Sequence, residues 1–134
     1  MISVEHVIDR AGDDGVMPLL TLDECFEGND DEGCIAPNQW GYGRPPLADL
    51  VARLHAVEQR PDVAWVRVQL HPETLALEEI TAEAVAVCTT ADESARAAWA
   101  AELGASGVIP GLVDEYRDVP HAPPGTAVWS VVWD

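Results

Sequence analysis

The sequence predicts an α+β domain in which an antiparallel sheet carries two helices on one face. The prediction uses three observations: β-branched or alternating apolar segments, two segments with apolar residues at helical spacing, and Gly- and Pro-rich segments between them. Without the first arm of an N-terminal hairpin, the order is strand, helix, strand, strand, helix, strand, as in a ferredoxin-like sandwich. The length of 134 residues suits a single domain, residues 1–134.

The N-terminal part of the chain predicts a β-hairpin, which adds an extra strand to this sandwich. Residues 2–8 alternate loosely between apolar and polar side chains, and residues 9–15 are dense in turn formers. The second arm, residues 16–22, is apolar, and Pro18 places it at a sheet edge or a bulge. An irregular connection then runs to residue 45, and long irregular connections in compact domains are usually functional or disordered.

The first helix is predicted to begin at Pro45 and Pro46, because proline is tolerated in the first turn. Its apolar stripe comprises Leu47, Leu50, Val51, Leu54 and Val57. Residues 63–70 follow as a strand with two distinct faces.

The second half of the chain predicts two strands on either side of a second helix. Residues 84–89 and 126–133 have the apolar, β-branched composition of strands. Thr90 and Glu93 have capping-box spacing at the start of a helix that runs to Leu103, and Gly104 supplies a left-handed end.

The composition excludes several classes of partner. The formal net charge is −17, and all seven basic residues are arginines. Nucleic acids and anionic membranes both attract basic surfaces, so we expect neither as a partner. The N-terminus resembles no signal peptide, and no apolar run approaches the roughly 20 residues of a membrane-spanning helix. We therefore expect a cytoplasmic protein, and the Ala-, Val- and Arg-rich composition is typical of a GC-rich bacterial coding sequence.

The cysteines and histidines give little support for a metal or catalytic site. Cys25, Cys34 and Cys88 form an odd set without a CxxC motif, and in the cytoplasm reduced thiols are favoured over a Cys25–Cys34 bridge. The four histidines show neither HxH nor HExxH spacing: His6, His55, His71 and His121.

The densest functional signal is an acidic segment, residues 23–32, with six carboxylates and no basic residue. Glu27, Asp30 and Asp31 are candidate ligands for Ca²⁺ or Mg²⁺, although the spacing does not match an EF-hand. The segment is also compatible with a surface that contacts a basic protein, and the main alternative to a metal site is a solvated loop. In the loop interpretation, Asn and Asp side chains of residues 28–33 bond to their own backbone.

Two other surfaces are candidates for binding. The second face of the sheet, with Trp65 and Arg67, is expected to lack helices, and could form a homodimer or partner interface. The alternative is that the long connection or the hairpin buries it. A small ligand could instead bind between the long connection and the sheet, through Trp40, Tyr42 and Arg44.

The string of residues 25–38, CFEGNDDEGCIAPN, resembles a group of small acidic bacterial proteins with no assigned activity. The resemblance extends through the following helix, residues 60–63 and the Trp-Asp terminus. A serine is usual where Cys34 stands, which argues against cysteine-based catalysis. The resemblance implies no catalytic residues.

The sequence thus favours a small acidic, non-enzymatic interaction protein, comparable in charge to immunity proteins that neutralise basic toxins. The predicted binding residues are Glu27, Asn29, Asp30, Asp31, Glu32, Trp40, Tyr42, Arg44, Trp65 and Arg67. A divalent-metal enzyme or metal-regulated module, and a small-ligand binder, remain alternatives; no other cofactor is expected.

Overall fold

A computed structural model describes residues 1–39 and 41–133, and these residues form an α+β fold. They contain five α-helices, two short 3₁₀ helices (Glu32–Cys34 and Pro37–Gln39) and four strands. In chain order the main elements are α1 (Val4–Ala11), α2 (Leu22–Phe26), α3 (Leu47–Glu58), β1 (Val63–Leu70), α4 (Glu73–Leu77), β2 (Ala82–Thr89), α5 (Glu93–Glu102), β3 (Gly107–Pro110) and β4 (Ala127–Val132). No helix within the described ranges is long and apolar enough to cross a membrane.

The four strands form one antiparallel sheet in the order β1-β2-β4-β3. One face packs against α3 and α5 in a shared apolar core. Four of the five predicted stripe residues of α3 are buried there: Leu47, Leu50, Leu54 and Val57. The helical spacing therefore identified this helix and its inward face.

The predicted N-terminal hairpin is wrong, because its first arm is the helix α1. The Ser3 side chain caps α1 by accepting a hydrogen bond from the His6 N–H, and Val7 and Ala11 are buried one helical turn apart. The second arm forms only isolated bridges, Pro18 with Arg117 and Leu20 with Val68. In a ferredoxin-like sandwich this segment, residues 16–22, would be the first strand of the sheet. Because it is not one of the four strands, the ferredoxin-like arrangement is not confirmed.

A connection covers much of the second face of the sheet, as in the alternative of a buried face, although it is neither the long connection nor the N-terminal hairpin. The connection between β3 and β4, residues 111–126, lies over this face and is held by hydrogen bonds. They are Trp65 Nε1 to the His121 carbonyl at 3.1 Å, Val113 N–H to Gln69 Oε1 at 2.9 Å, and Ser130 Oγ to the Gly111 carbonyl at 2.6 Å. Trp65, Gln69 and Ser130 are consequently buried.

The end of α5 requires the glycine that the sequence places there. Gly104 has φ +64°, a conformation that favours glycine, and a Cβ at this position would collide with the Gly43 carbonyl. The capping box predicted at Thr90 and Glu93 does not form, because Asp92 caps α5 through the Ala95 N–H. The Gly43–Gly104 contact holds the long connection against the helical side of the fold.

Candidate functional site

The acidic segment begins as a helix rather than as the end of a strand. Thr21 and Glu24 form a capping box at the start of α2, with hydrogen bonds of 3.1 and 2.9 Å. Glu24 also pairs with Arg10 at 2.8 Å. Burial opposes ionisation of Glu24, but the Thr21 N–H and Arg10 outweigh it and hold the carboxyl pKa below its usual range.

The turn after α2 is held by its own polar side chains. Asn29 Oδ1 accepts a hydrogen bond from the Asp31 N–H at 2.9 Å, and Asp31 Oδ1 accepts one from the Gly33 N–H at 2.9 Å. Asn29 Nδ2 donates to the Cys25 carbonyl at 3.1 Å. Asn29 and Asp31, both predicted binding residues, therefore stabilise the loop.

Glu32 links the acidic segment to α3. Its Oε1 accepts hydrogen bonds from Arg44 Nη2 at 2.7 Å and from the Leu47 N–H at 2.9 Å. Because Pro46 precedes the helix without a side-chain cap, Glu32 satisfies a backbone donor at the first turn. Arg44, a predicted binding residue, is only 3 % exposed and lies inside the fold beside Glu32.

The predicted metal ligands are not brought together. Glu27 and Asp30 are exposed, while Asp31 accepts a hydrogen bond from the Gly33 N–H. Within residues 1–39 and 41–133, no group of three or more His, Cys, Asp or Glu side chains is arranged to hold a metal ion.

The remaining predicted binding residues lie apart from one another. Tyr42 is 87 % exposed, Trp65 is buried beneath residues 111–126, and Arg67 donates to the Val66 carbonyl at 2.8 Å. Trp40 lies outside the described residues. The candidate residues taken from the sequence therefore do not form one site.

The two cysteines beside the acidic turn are free and buried. Burial raises the pKa of both thiols, for Cys34 to about 11, and the neighbouring Cys34 adds to the effect at Cys25. Such thiols are poor nucleophiles, since the thiolate is the reactive form.

A cleft of about 390 Å³ lies where residues 36–39, which follow the acidic segment, meet the sheet, and we call it the Glu83 cleft. Ile35 bridges to Ala82 and so fixes the end of the segment beside β2. The lining residues are Ala36, Pro37, Asn38, Gln39, His71, Glu73, Thr81, Ala82, Glu83 and Trp133. One wall is thus the second 3₁₀ helix, and the other is the adjoining ends of β1, β2 and β4.

Glu83 enters the cleft from a β-bulge. Gln69 pairs with Ala84 and Leu70 pairs with Ala82, so Glu83 is the extra residue on β2. Bulges redirect a side chain from the regular alternation of a strand, and they are frequent beside active sites.

The surroundings of Glu83 make its charge costly. Burial raises the pKa of its carboxyl above the usual range; His71 opposes the shift, the negative charge of Asp114 adds to it, and Tyr116 opposes it. A titratable group perturbed in this way inside a cleft is a candidate for a functional residue.

His71 is oriented by the backbone of α4. Its Nδ1 accepts a hydrogen bond from the Glu73 N–H at 3.0 Å, which places the hydrogen of a neutral ring on Nε2. Nε2 lies 3.8 Å from Glu83 Oε2, too far for a direct hydrogen bond. The imidazole therefore faces the carboxylate without occupying its acceptor positions.

A larger cavity, of about 610 Å³, lies between α5 and the strands β3 and β4. Four alanines line it, and its arginine, Arg96, already stacks 3.7 Å from the centre of the Trp129 ring and donates to the Ala91 carbonyl. Its described lining has one carboxylate, Glu93, beside the cation Arg96, whereas that of the Glu83 cleft has two carboxylates and no arginine, so the Glu83 cleft is the stronger candidate.

Sequence reasoning missed Glu83 and His71. His71 appears in the sequence only as one of four scattered histidines, and Glu83 lies just before the predicted strand of residues 84–89. The available signal was a single charged residue within the otherwise apolar and small run of β2, residues 82–89.

Comparison with known proteins gives a family but no activity. The model of the uncharacterized protein YfbO family matches residues 2–131. No curated protein and no solved structure matches the chain.

Proposed function

Because the chain belongs to the uncharacterized YfbO family, whose description names no activity, we propose its function from the geometry: a non-enzymatic protein that binds a small organic cation in the Glu83 cleft. The observation that carries the proposal is the bulged Glu83, directed into a cleft with a second carboxylate, Glu73, and no arginine among its described lining residues. This develops the alternative of a ligand between the long connection and the sheet.

The lining of the cleft suits an ammonium or guanidinium group. Carboxylate oxygens form charge-assisted hydrogen bonds with such groups, and aromatic rings attract cations through their negative faces. The indole of Trp133 lines the cleft and is fixed by a 3.1 Å hydrogen bond from Nε1 to the Leu103 carbonyl. A volume of about 390 Å³ is within the range of small-ligand sites.

Binding also relieves an unfavourable arrangement. A cation beside Glu83 adds a positive charge next to its partly buried carboxylate, and this favours the ionised form. The overall charge of −17 attracts cations and repels anions, so it selects for the same class of ligand.

Calorimetry with butylammonium and agmatine tests the proposal. We expect both to bind the wild-type protein, and butyramide and butyrate to bind much more weakly. Glu83→Gln should weaken binding of the cations about tenfold or more, because it removes a charge-assisted hydrogen bond. Equal binding of the neutral amide would contradict a cation site.

Glu79→Gln is the matched control for Glu83→Gln. It removes the same charge from an exposed position that does not line the cleft. We expect it to leave the affinity for both cations nearly unchanged. If the two variants lose affinity equally, the effect comes from net charge and not from the cleft.

A second candidate function is binding of a basic protein partner, and the distribution of arginines favours it. Four arginines are paired with acids inside the chain: Arg10, Arg44, Arg60 and Arg117. Meanwhile Glu27, Asp30 and Asp31 remain exposed on the acidic segment. An oligoarginine peptide should bind at low ionic strength, and its affinity should fall steeply with added salt. Salt-independent affinity would count against this function.

A further inference from the structure

Another cavity, of about 340 Å³ and distinct from the one beside α5, adjoins the Glu83 cleft. Its lining is Glu83, Ile109, Val113, Val132 and Trp133, so it shares Glu83 and Trp133 with the cleft. We call it the apolar annex. The two spaces thus meet at one carboxylate and one indole.

The two spaces differ in chemistry. The Glu83 cleft carries polar groups from His71, Glu73 and Gln39, whereas the annex adds only aliphatic side chains, those of Ile109, Val113 and Val132. Ile109 is 42 % exposed, and exposed aliphatic surface beside a carboxylate favours a ligand with both characters.

Hydrogen bonds and strand pairing fix two of the residues that line the annex, Val113 and Ile109. The Val113 N–H donates to the buried Gln69 Oε1 at 2.9 Å, which ties residues 111–126 to β1 at this point. Ile109 lies on β3 opposite Ser130 of β4. A rigid annex next to a fixed carboxylate defines the distance between the polar and apolar parts of a ligand.

We propose that the ligand of the Glu83 cleft is an amphiphilic amine: its cationic group lies at Glu83, and its short hydrocarbon body lies against Ile109, Val113 and Val132. The inference rests on the proposed cation-binding function and specifies the class of ligand. It also gives a role to Glu83 and Trp133, the two side chains that the two linings share.

A series of alkylammonium ions tests the inference. Each methylene buried in the annex should raise affinity about threefold to fourfold, until the annex is filled and the affinity levels off. Alcohols of the same chain lengths should bind far more weakly, because they lack the charge. Alcohols that bind as tightly as the ammonium ions of the same chain length would overturn the role of Glu83 in this ligand class.

Ile109→Ser separates the annex from the cleft. Ile109 lies on an edge strand and is partly exposed, so the variant should fold, which a thermal melt checks. We expect methylammonium to bind as in wild type, but the gain per methylene to be much reduced. Val119→Ser is the matched control, since Val119 is 46 % exposed and lines neither space.

The outcomes distinguish the inference from the function on which it rests. If short cations bind through Glu83 but affinity does not rise with chain length, or rises unchanged in Ile109→Ser, the amphiphilic ligand is refuted and the cation site stands. If no alkylammonium ion binds the wild-type protein, both are refuted.

Discussion

Replacing Glu32 with alanine tests the conclusion that the acidic segment supports the fold. Glu32 Oε1 accepts hydrogen bonds from a buried arginine, Arg44, and from the Leu47 N–H at the start of α3. The change therefore removes both a carboxylate from a buried guanidinium and an acceptor from a helix N-terminus. We expect unfolding to become easier.

The magnitude follows from the two contacts. Breaking a buried ion pair costs about 3–5 kcal/mol. The Glu32 side chain is 37 % exposed, while that of Arg44 is 0 % exposed. Because solvent screens the exposed partner, we reduce the cost of breaking this ion pair to about 1–3 kcal/mol. Loss of the helix-capping interaction adds about 1 kcal/mol. Glu32→Ala should lower the free energy of unfolding by about 2–4 kcal/mol.

Urea denaturation followed by circular dichroism measures the change, with the slope of the transition as a check on two-state behaviour. Asp30→Ala is the matched control, because Asp30 is exposed in the same segment, and it should stay within about 0.5 kcal/mol of wild type. If Glu32→Ala is as stable as this control, Glu32 does not support the fold and its carboxylate is free for a partner.

Three further predictions concern other parts of the structure. Gly104→Ala should lower the free energy of unfolding by about 2–4 kcal/mol, because a Cβ would meet the Gly43 carbonyl and the backbone has positive φ, whereas Gly107→Ala meets open space and should be tolerated. Affinity for butylammonium should fall as pH decreases, and the fall should begin at a higher pH than for an ordinary glutamate, because the pKa of Glu83 is raised and binding needs the ionised form. A shift of that fall to lower pH would contradict this assignment. Finally, Cys34 should react slowly with Ellman's reagent in the native protein, because burial raises its pKa to about 11, and rapid native reaction would refute that burial.

The pH prediction depends on every charged group that faces Glu83. His71 lies at the end of β1, and Asp114 and Tyr116 lie on the connection that covers the sheet. Asp114→Asn should move the affinity profile to lower pH, because it removes a charge that raises the Glu83 pKa. No movement of the profile in this variant would show that Asp114 does not contribute to the raised pKa of Glu83.

Local sequence patterns identified the structural features that depend on residues close together in the chain. The stripe of α3 and the glycine after α5 were both readable, since each depends on residues within one or two turns. The α1 helix was mistaken for a strand because residues 2–8 satisfy a loose alternation, although Ser3 and the Val7–Ala11 spacing also fit a capped helix.

The candidate site could not be predicted from the sequence, because it depends on contacts between distant parts of the chain. Glu83 reaches the cleft through a register shift between β1 and β2. A bulge of this kind depends on how two strands pair, so the sequence pattern of one strand does not show it. The Glu32–Arg44 pair joins residues of one long connection whose spacing follows no secondary structure. The cover of the second sheet face depends on contacts such as Trp65 with His121, which are far apart in sequence.

The cover over the second sheet face has a consequence for how the chain can be rearranged. Its attachments to Trp65, Gln69 and Ser130 lie along its length, and residues 121–125 near its end are exposed. A cut between Ala122 and Gly125 would place β4 on a separate fragment, which its pairing with β2 and β3 and the Ser130–Gly111 hydrogen bond would still join to the rest. That exposed stretch is therefore the place to insert a fluorescent reporter or to open new chain ends.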